Sequence, residues 1–216
     1  MSEMRRLLYF LIVHNQTDLG SLKRELSMEG ERRYGKREWE NHLRGVEDEW
    51  NRVEEFINQY LIDHDIPVGK VRIYQDGLPV AGEVGSKIVR EVARQGSRNY
   101  QILVNLIYQG ACLEEAESRE LLVQEHGHLT RIVKAKTPTE KLKHYILYQD
   151  ISEDLLNRRD TYIANRINES LQEDELGLAF FGGTHSIVDK LDGDIDVTAP
   201  QEFNDPISID LIRNAR

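Results

Sequence analysis

The chain has a single cysteine, Cys112, among its 216 residues, so no disulfide can close within it. That excludes a disulfide-stapled scaffold and points to a reducing compartment, so a cytoplasmic location is expected. Positive charge is scarce as well. The 28 Lys and Arg against 38 Asp and Glu give a formal net charge of -10. Such a surface repels nucleic-acid phosphates and anionic lipid, so neither nucleic acid nor membrane is an expected partner, although a local basic site stays open. Long apolar runs are missing too. The run Leu7–Val13 follows two arginines but has no small-residue cleavage site after it, and it falls far short of the roughly 18 residues of a membrane span. It reads better as a first buried strand. There is no P-loop, G-x-G-x-x-G, G-x-S-x-G or paired C-x-x-C, which weakens nucleotide-binding, serine-esterase and zinc-ribbon readings.

What is present is enough apolar material, 39% of residues, for a sizeable core. Apolar runs at Leu7–Val13, Lys70–Asp76, Tyr100–Ile107 and Leu176–Gly183 are expected as strands, and "DIDVTAP", ending at Pro200, as a fifth. Helical patterns separate them. Between the first two, residues 36–62 place Trp39, Leu43, Val46, Trp50, Val53, Ile57 and Tyr60 at steps of three and four, an amphipathic stripe. Further helices are expected over Gly85–Arg94, Glu114–Lys134 and Ser152–Glu173. Strands alternating with helices predict an α/β domain over residues 1–199, with a mainly parallel central sheet flanked by helices and one long amphipathic helix after the first strand. Residues 31–35 and 134–141 read as joints, and residues 200–216 as a carboxyl-terminal tail.

In open α/β sheets, sites form beyond the carboxyl ends of the strands. After the first strand comes His14, and after the second Gln75, Asp76 and Gly77. Asn105, Tyr108 and Gln109 follow the third, and Gly182, Gly183, Thr184 and His185 the fourth. Two histidines and a carboxylate on one rim can ligate a divalent metal or move a proton. Gly182 and Gly183 allow the backbone close to a ligand, and a helix starting at Ser186 would offer free N–H groups to an anion. In the helix over 152–173, Arg159 falls inside the apolar arc of Leu155, Leu156, Tyr162, Ile163 and Ile167, with Arg166 on the same side. An inward guanidinium must be paired, so Arg159 either holds a structural carboxylate or grips an anionic substrate. Glu125, His126 and His128 read as surface, since the two histidines point to different sides of a helix. Glu117 can reach the rim from the loop after the third strand. Cys112 reads as a small buried residue.

The segment "RRDTYIANRINESLQEDELGLAFFGGTHSIVDKL" resembles the carboxyl-terminal part of TraB/TIKI-type proteins, in which an Arg-Asp or Arg-Asn pair opens a helix and a strand closes in G-x-x-H. Arg159 with Asp160 match the pair, and Gly182 with His185 match the strand end. The wider group includes erythromycin-esterase-like and ChaN-like proteins and adds an amino-terminal histidine motif. Here "LIVHNQTDLGSL" stands in, with His14 as the counterpart and Leu11 where that motif carries glycine. The resemblance covers about a sixth of the chain. It implies a polar rim serving metal-dependent peptide cleavage, ester hydrolysis, or haem or iron binding.

The leading expectation is a hydrolase acting on a small polar or anionic ester, amide or phosphoester. His185, Arg159 and His14 are its catalytic residues, and Gly182, Gly183, Thr184 and Asp160 contact the substrate. His14, His185 and Asp76 hold a divalent metal: manganese, zinc, iron or cobalt. The alternative is a non-catalytic binding or regulatory protein on the same fold, with an anion pocket and a Trp39/Trp50 helix that contacts a partner or makes a homo-oligomer. A haem or iron carrier is a third.

Overall fold

The structure, a computed structural model, describes residues 4–12 and 23–200. Five strands form one sheet: β1 (Arg5–Ile12), β2 (Val71–Gln75), β3 (Cys112–Leu113), β4 (Leu176–Gly182) and β5 (Ile195–Thr198). Their order is β3-β2-β4-β1-β5, and every pairing is parallel. Six α-helices connect and cover them: α1 (Lys23–Tyr34), α2 (Lys36–Asp63), α3 (Gly82–Arg94), α4 (Arg98–Tyr108), α5 (Arg119–Lys134) and α6 (Pro138–Ser170). The apolar runs lack alternation because central strands are covered on both faces. In β4 every residue from Leu176 to Phe181 is buried.

The two-residue period of a strand divides these side chains between two cores. Leu8, Phe10, Val71, Ile73, Leu178 and Phe180 face α2, α3 and α4, where Trp50, Ile57, Val89 and Leu103 meet them. Leu7, Tyr9, Tyr74, Ala179 and Phe181 face the other way, onto Ile163 and Ile167 of α6. The same parity sends Asp76, one residue past β2, to the α6 side. The α2 stripe falls as its periodicity predicts, with Trp39, Val46, Trp50, Val53, Ile57 and Leu61 buried. Gly35 separates α1 from α2 at φ 85°, a left-handed conformation that glycine adopts freely.

One element differs in kind from its sequence reading. Tyr100–Ile107 is not a strand but the body of α4. Ser97 caps this helix by accepting from the Tyr100 N–H, and Asn99, Ile102, Leu103 and Leu106 are buried at helical spacing. An eight-residue apolar run fits either period, and the cap decided this one. The short strand β3 comes after it. Asn105, Tyr108 and Gln109 therefore leave the rim and line a separate cleft with Glu54, Ile57 and Asn58 of α2. Other bounds move without changing type. α6 starts at Pro138 rather than near residue 152, and α5 starts at Arg119 after an irregular buried stretch that carries Glu114 and Glu117.

Trp39 is 7% exposed and Trp50 1% exposed, so both indoles pack within this chain. Trp39 stacks on Tyr34 of α1, and Trp50 packs against Phe180. Cys112 is exposed rather than buried. No described helix is long and apolar enough to cross a membrane.

Candidate functional site: a buried His–carboxylate–Arg cluster

The cluster lies beyond the carboxyl ends of β2 and β4, which are neighbours in the sheet. β2 delivers Asp76 and β4 delivers Gly182, with His185 three residues later. The stretch after β3 delivers Glu117. Behind the sheet α6 supplies Arg159 and Asp160, and α5 supplies Glu125.

Arg159 is the hub. Its Nε donates to Glu117 Oε2 at 3.2 Å, its Nη1 to Glu125 Oε2 at 2.7 Å, and its Nη2 to Asp76 Oδ1 at 3.0 Å and also to Glu117 Oε1. The planar fork suits this bidentate grip on Glu117, whose side chain is fully buried. Tyr148 of α6 donates its hydroxyl to the other Glu125 oxygen at 2.7 Å. Arg159 thus meets the requirement that an inward charge be paired, but it does so with carboxylates of this chain.

His185 is fixed from both sides. Its Nδ1 lies 2.6 Å from Asp160 Oδ1, and Asp160 Oδ2 accepts the Ser186 backbone N–H at 3.0 Å. An ionised carboxylate only accepts, so Nδ1 carries the proton and Nε2 is left facing Asp76 Oδ2 at 3.5 Å. The edge of the Phe181 ring supports the imidazole, with the centroids 5.6 Å apart. Asp76 Oδ2 also accepts the Gly182 N–H at 3.1 Å. A Cβ at Gly182 would come within 3.3 Å of that oxygen, so the glycine is what allows the carboxylate to sit against the strand end.

These contacts govern protonation. Burial would push Asp76 up, but His185 and Arg159 overcome it and hold the carboxyl well below its usual range. Burial would likewise lower His185, yet its bonds to Asp160 and Asp76 push it up to about 9. Glu117 goes the other way. Burial pushes it up to about 7, and Arg159 only partly offsets this. Burial, followed by the fields of Asp76 and Asp160, also raises the phenol of Tyr9 on β1, keeping it neutral.

Four carboxylates therefore face one guanidinium and one imidazole, an excess of negative charge that attracts a cation. Asp76, Glu117 and His185 each offer a ligand atom, and these atoms lie within 4.8 Å of one another. One imidazole nitrogen with carboxylate oxygens is a donor set that manganese, iron, cobalt and zinc accept. The carboxylate oxygens bonded to Arg159 keep a second lone pair for such an ion. The residues fit a divalent cation.

Of the residues singled out from sequence, the structure brings together Asp76, Arg159, Asp160, Gly182 and His185. His14 lies outside the described residues. Asp160 is 3% exposed, and both its carboxylate oxygens are engaged, one by His185 and one by the Ser186 N–H. No α-helix starts at Ser186. Only a 3-10 turn at Val188–Lys190 follows, and the Ser186 N–H is already taken by Asp160. Gly183 and Thr184 form the half-buried turn between strand and histidine. Glu125 was missed as a site residue, because nothing in its sequence surroundings marks the one turn of α5 that meets Arg159. Partial desolvation and then Glu114, 3.5 Å away, push the Cys112 thiol up, away from the thiolate form.

No family model, curated protein or solved structure matches the chain. Fold and site together define an all-parallel α/β protein whose two adjacent strands β2 and β4 end in a buried, acid-rich cluster of histidine, carboxylates and one arginine.

Proposed function

We propose that the protein is a hydrolase that uses a divalent cation at the Asp76–Glu117–His185 cluster to cleave a small polar ester, amide or phosphoester. The observation that carries this reading is the convergence of three ligand atoms from three separate segments at the strand ends. A cation bound there supplies Lewis acidity and lowers the pKa of a water molecule. The chain's own part is positioning. Asp160 holds the Nδ1–H of His185, so Nε2 is the nitrogen that would ligate once a cation displaces its proton, as with a carboxylate behind a ligating histidine elsewhere. Arg159 offsets the mutual repulsion of Asp76, Glu117 and Glu125, and Gly182 holds Asp76 through its N–H.

This reading narrows the substrate. With its donors engaged by carboxylates, Arg159 is a positioning residue rather than an anion clamp, so a neutral ester or amide suits the site better than an anionic phosphoester. The test is elemental analysis of freshly purified protein, with calorimetric titration of manganese, zinc, iron and cobalt into wild type, His185→Ala and Asp76→Asn. Near-stoichiometric binding that both variants lose, followed by turnover in an esterase, amidase and phosphoesterase screen, is the expected result. A wild type that takes up none of the four ions defeats the proposal.

A further inference from the structure

The first buried residue of α6 is Leu155, and the only buried residue of α5 is Leu121. Residues 122–154 form a helical hairpin whose root holds Glu125 against Arg159 and whose remainder reaches away from the core, closed by the turn 135–137. Tyr148 bonds Glu125 and its ring lies 6.2 Å from that of His128, which fixes how the two helices are aligned. Advancing 100° per residue from those inward positions places Leu129 and Val133 of α5 on the same side of the hairpin as Leu142, Tyr145 and Ile146 of α6. These five are 41%, 54%, 58%, 47% and 49% exposed. An isolated pair of helices has no means of covering such a face itself.

Charge is segregated along the same hairpin. Residues 131–144 carry Arg131, Lys134, Lys136, Lys141 and Lys143 against Glu140 alone, in a chain whose net charge is -10. Closer to the body α6 turns acidic, with Asp150, Glu153 and Asp154 exposed. We infer that the hairpin is a self-association surface, docking on the same face of a second copy of this chain in antiparallel orientation to make a four-helix bundle. A two-fold axis perpendicular to the helices sets Lys141 and Lys143 of one α6 against Asp150 and Glu153 of the other, and buries the apolar face of both. The parallel arrangement would stack basic tip on basic tip.

Two hairpins about 25 Å long and about 20 Å wide meet over on the order of 1,000 Å² in total, the lower bound for a specific interface. An anionic bilayer fits less well. The apolar side chains lie along the flank, whereas the turn at the tip is Ala135, Lys136 and Thr137.

Sedimentation velocity across a concentration series tests this directly. Wild type is expected to dimerise, and Leu142→Glu/Ile146→Glu to associate about tenfold more weakly or worse. Because both positions are exposed in the monomer, the variant's melting temperature should match wild type at concentrations where both are monomeric, and fall below it where wild type is dimeric. The decisive arm is a charge swap. Lys141→Glu/Lys143→Glu and Asp150→Lys/Glu153→Lys should each be monomeric alone and dimerise when mixed, since only the mixed pair restores attraction at both ends. Three results overturn the inference: wild type monomeric throughout, a dimer untouched by these substitutions, or a monomer that co-sediments with phosphatidylserine vesicles.

Discussion

Replacing Arg159 with methionine keeps much of the side-chain volume and removes the one charge that Asp76, Glu117 and Glu125 share. Arg159 is 8% exposed at its side chain and Glu117 0% exposed, so water does not replace the lost partner. Breaking a buried pair by deleting one member costs about 3–5 kcal/mol. For a chain of this length each kcal/mol lowers Tm by about 2–4 °C, so a fall on the order of 10 °C is expected at neutral pH. The loss has a pH signature. Glu117 already titrates near 7 in the folded protein against an ordinary 4.5, so its contribution is complete at acid pH and is lost as pH rises through about 7. Without Arg159 that carboxyl rises further, so the gap between variant and wild type should be widest above neutrality and should narrow on acidification. Glu117→Gln added to Arg159→Met removes the stranded charge and should recover part of the loss, a coupling that a double-mutant cycle measures. Thermal melts by circular dichroism across the pH range are the assay. A variant within about 1 kcal/mol of wild type at neutral pH, or a gap that does not vary with pH, would refute the assignment of Arg159 as the hub.

The remaining predictions concern the imidazole and the core. In metal-free protein His185 should titrate near 9, so its contribution to stability is present below its ordinary 6.5 and is lost as pH rises through about 9. Asp160→Asn should lower that pKa, read from the imidazole carbon resonances in an NMR titration; an unmoved midpoint counts against Asp160 as its partner. Trp50 is 1% exposed and packs on Phe180, so Trp50→Ala should cost about 3–5 kcal/mol in denaturant unfolding. Exposed Tyr108→Ala should stay within about 0.5 kcal/mol of wild type.

Part of the cluster is legible in the sequence. Asp76, Gly182 and His185 stand at the ends of two recognisable strands, β2 and β4, and Gly182 and His185 also match the G-x-x-H of the family the segment resembles. Arg159 followed from a charge falling on an apolar arc. That Arg159 pairs with Glu117 and Glu125 did not follow, although Glu117 could be placed within reach of the rim. Glu117 and Glu125 are drawn from a stretch where acidic residues are plentiful, and nothing local distinguishes the two that turn inward. Tyr100–Ile107 shows the opposite failure, a local pattern compatible with two structures and settled by the cap at Ser97.

By itself the sequence determined the α/β class, the four longer strands and the inward face of α2. Each of these depends on hydrophobic periodicity, which is a property of neighbours along the chain. Only the tertiary structure decided the strand order, what Trp39 and Trp50 pack against, and the pairing of Arg159 with residues 34, 42 and 83 positions away. Those depend on which surfaces meet across the sheet. The partners that set the protonation of His185 and Glu117 are therefore invisible to any reading confined to neighbours in sequence.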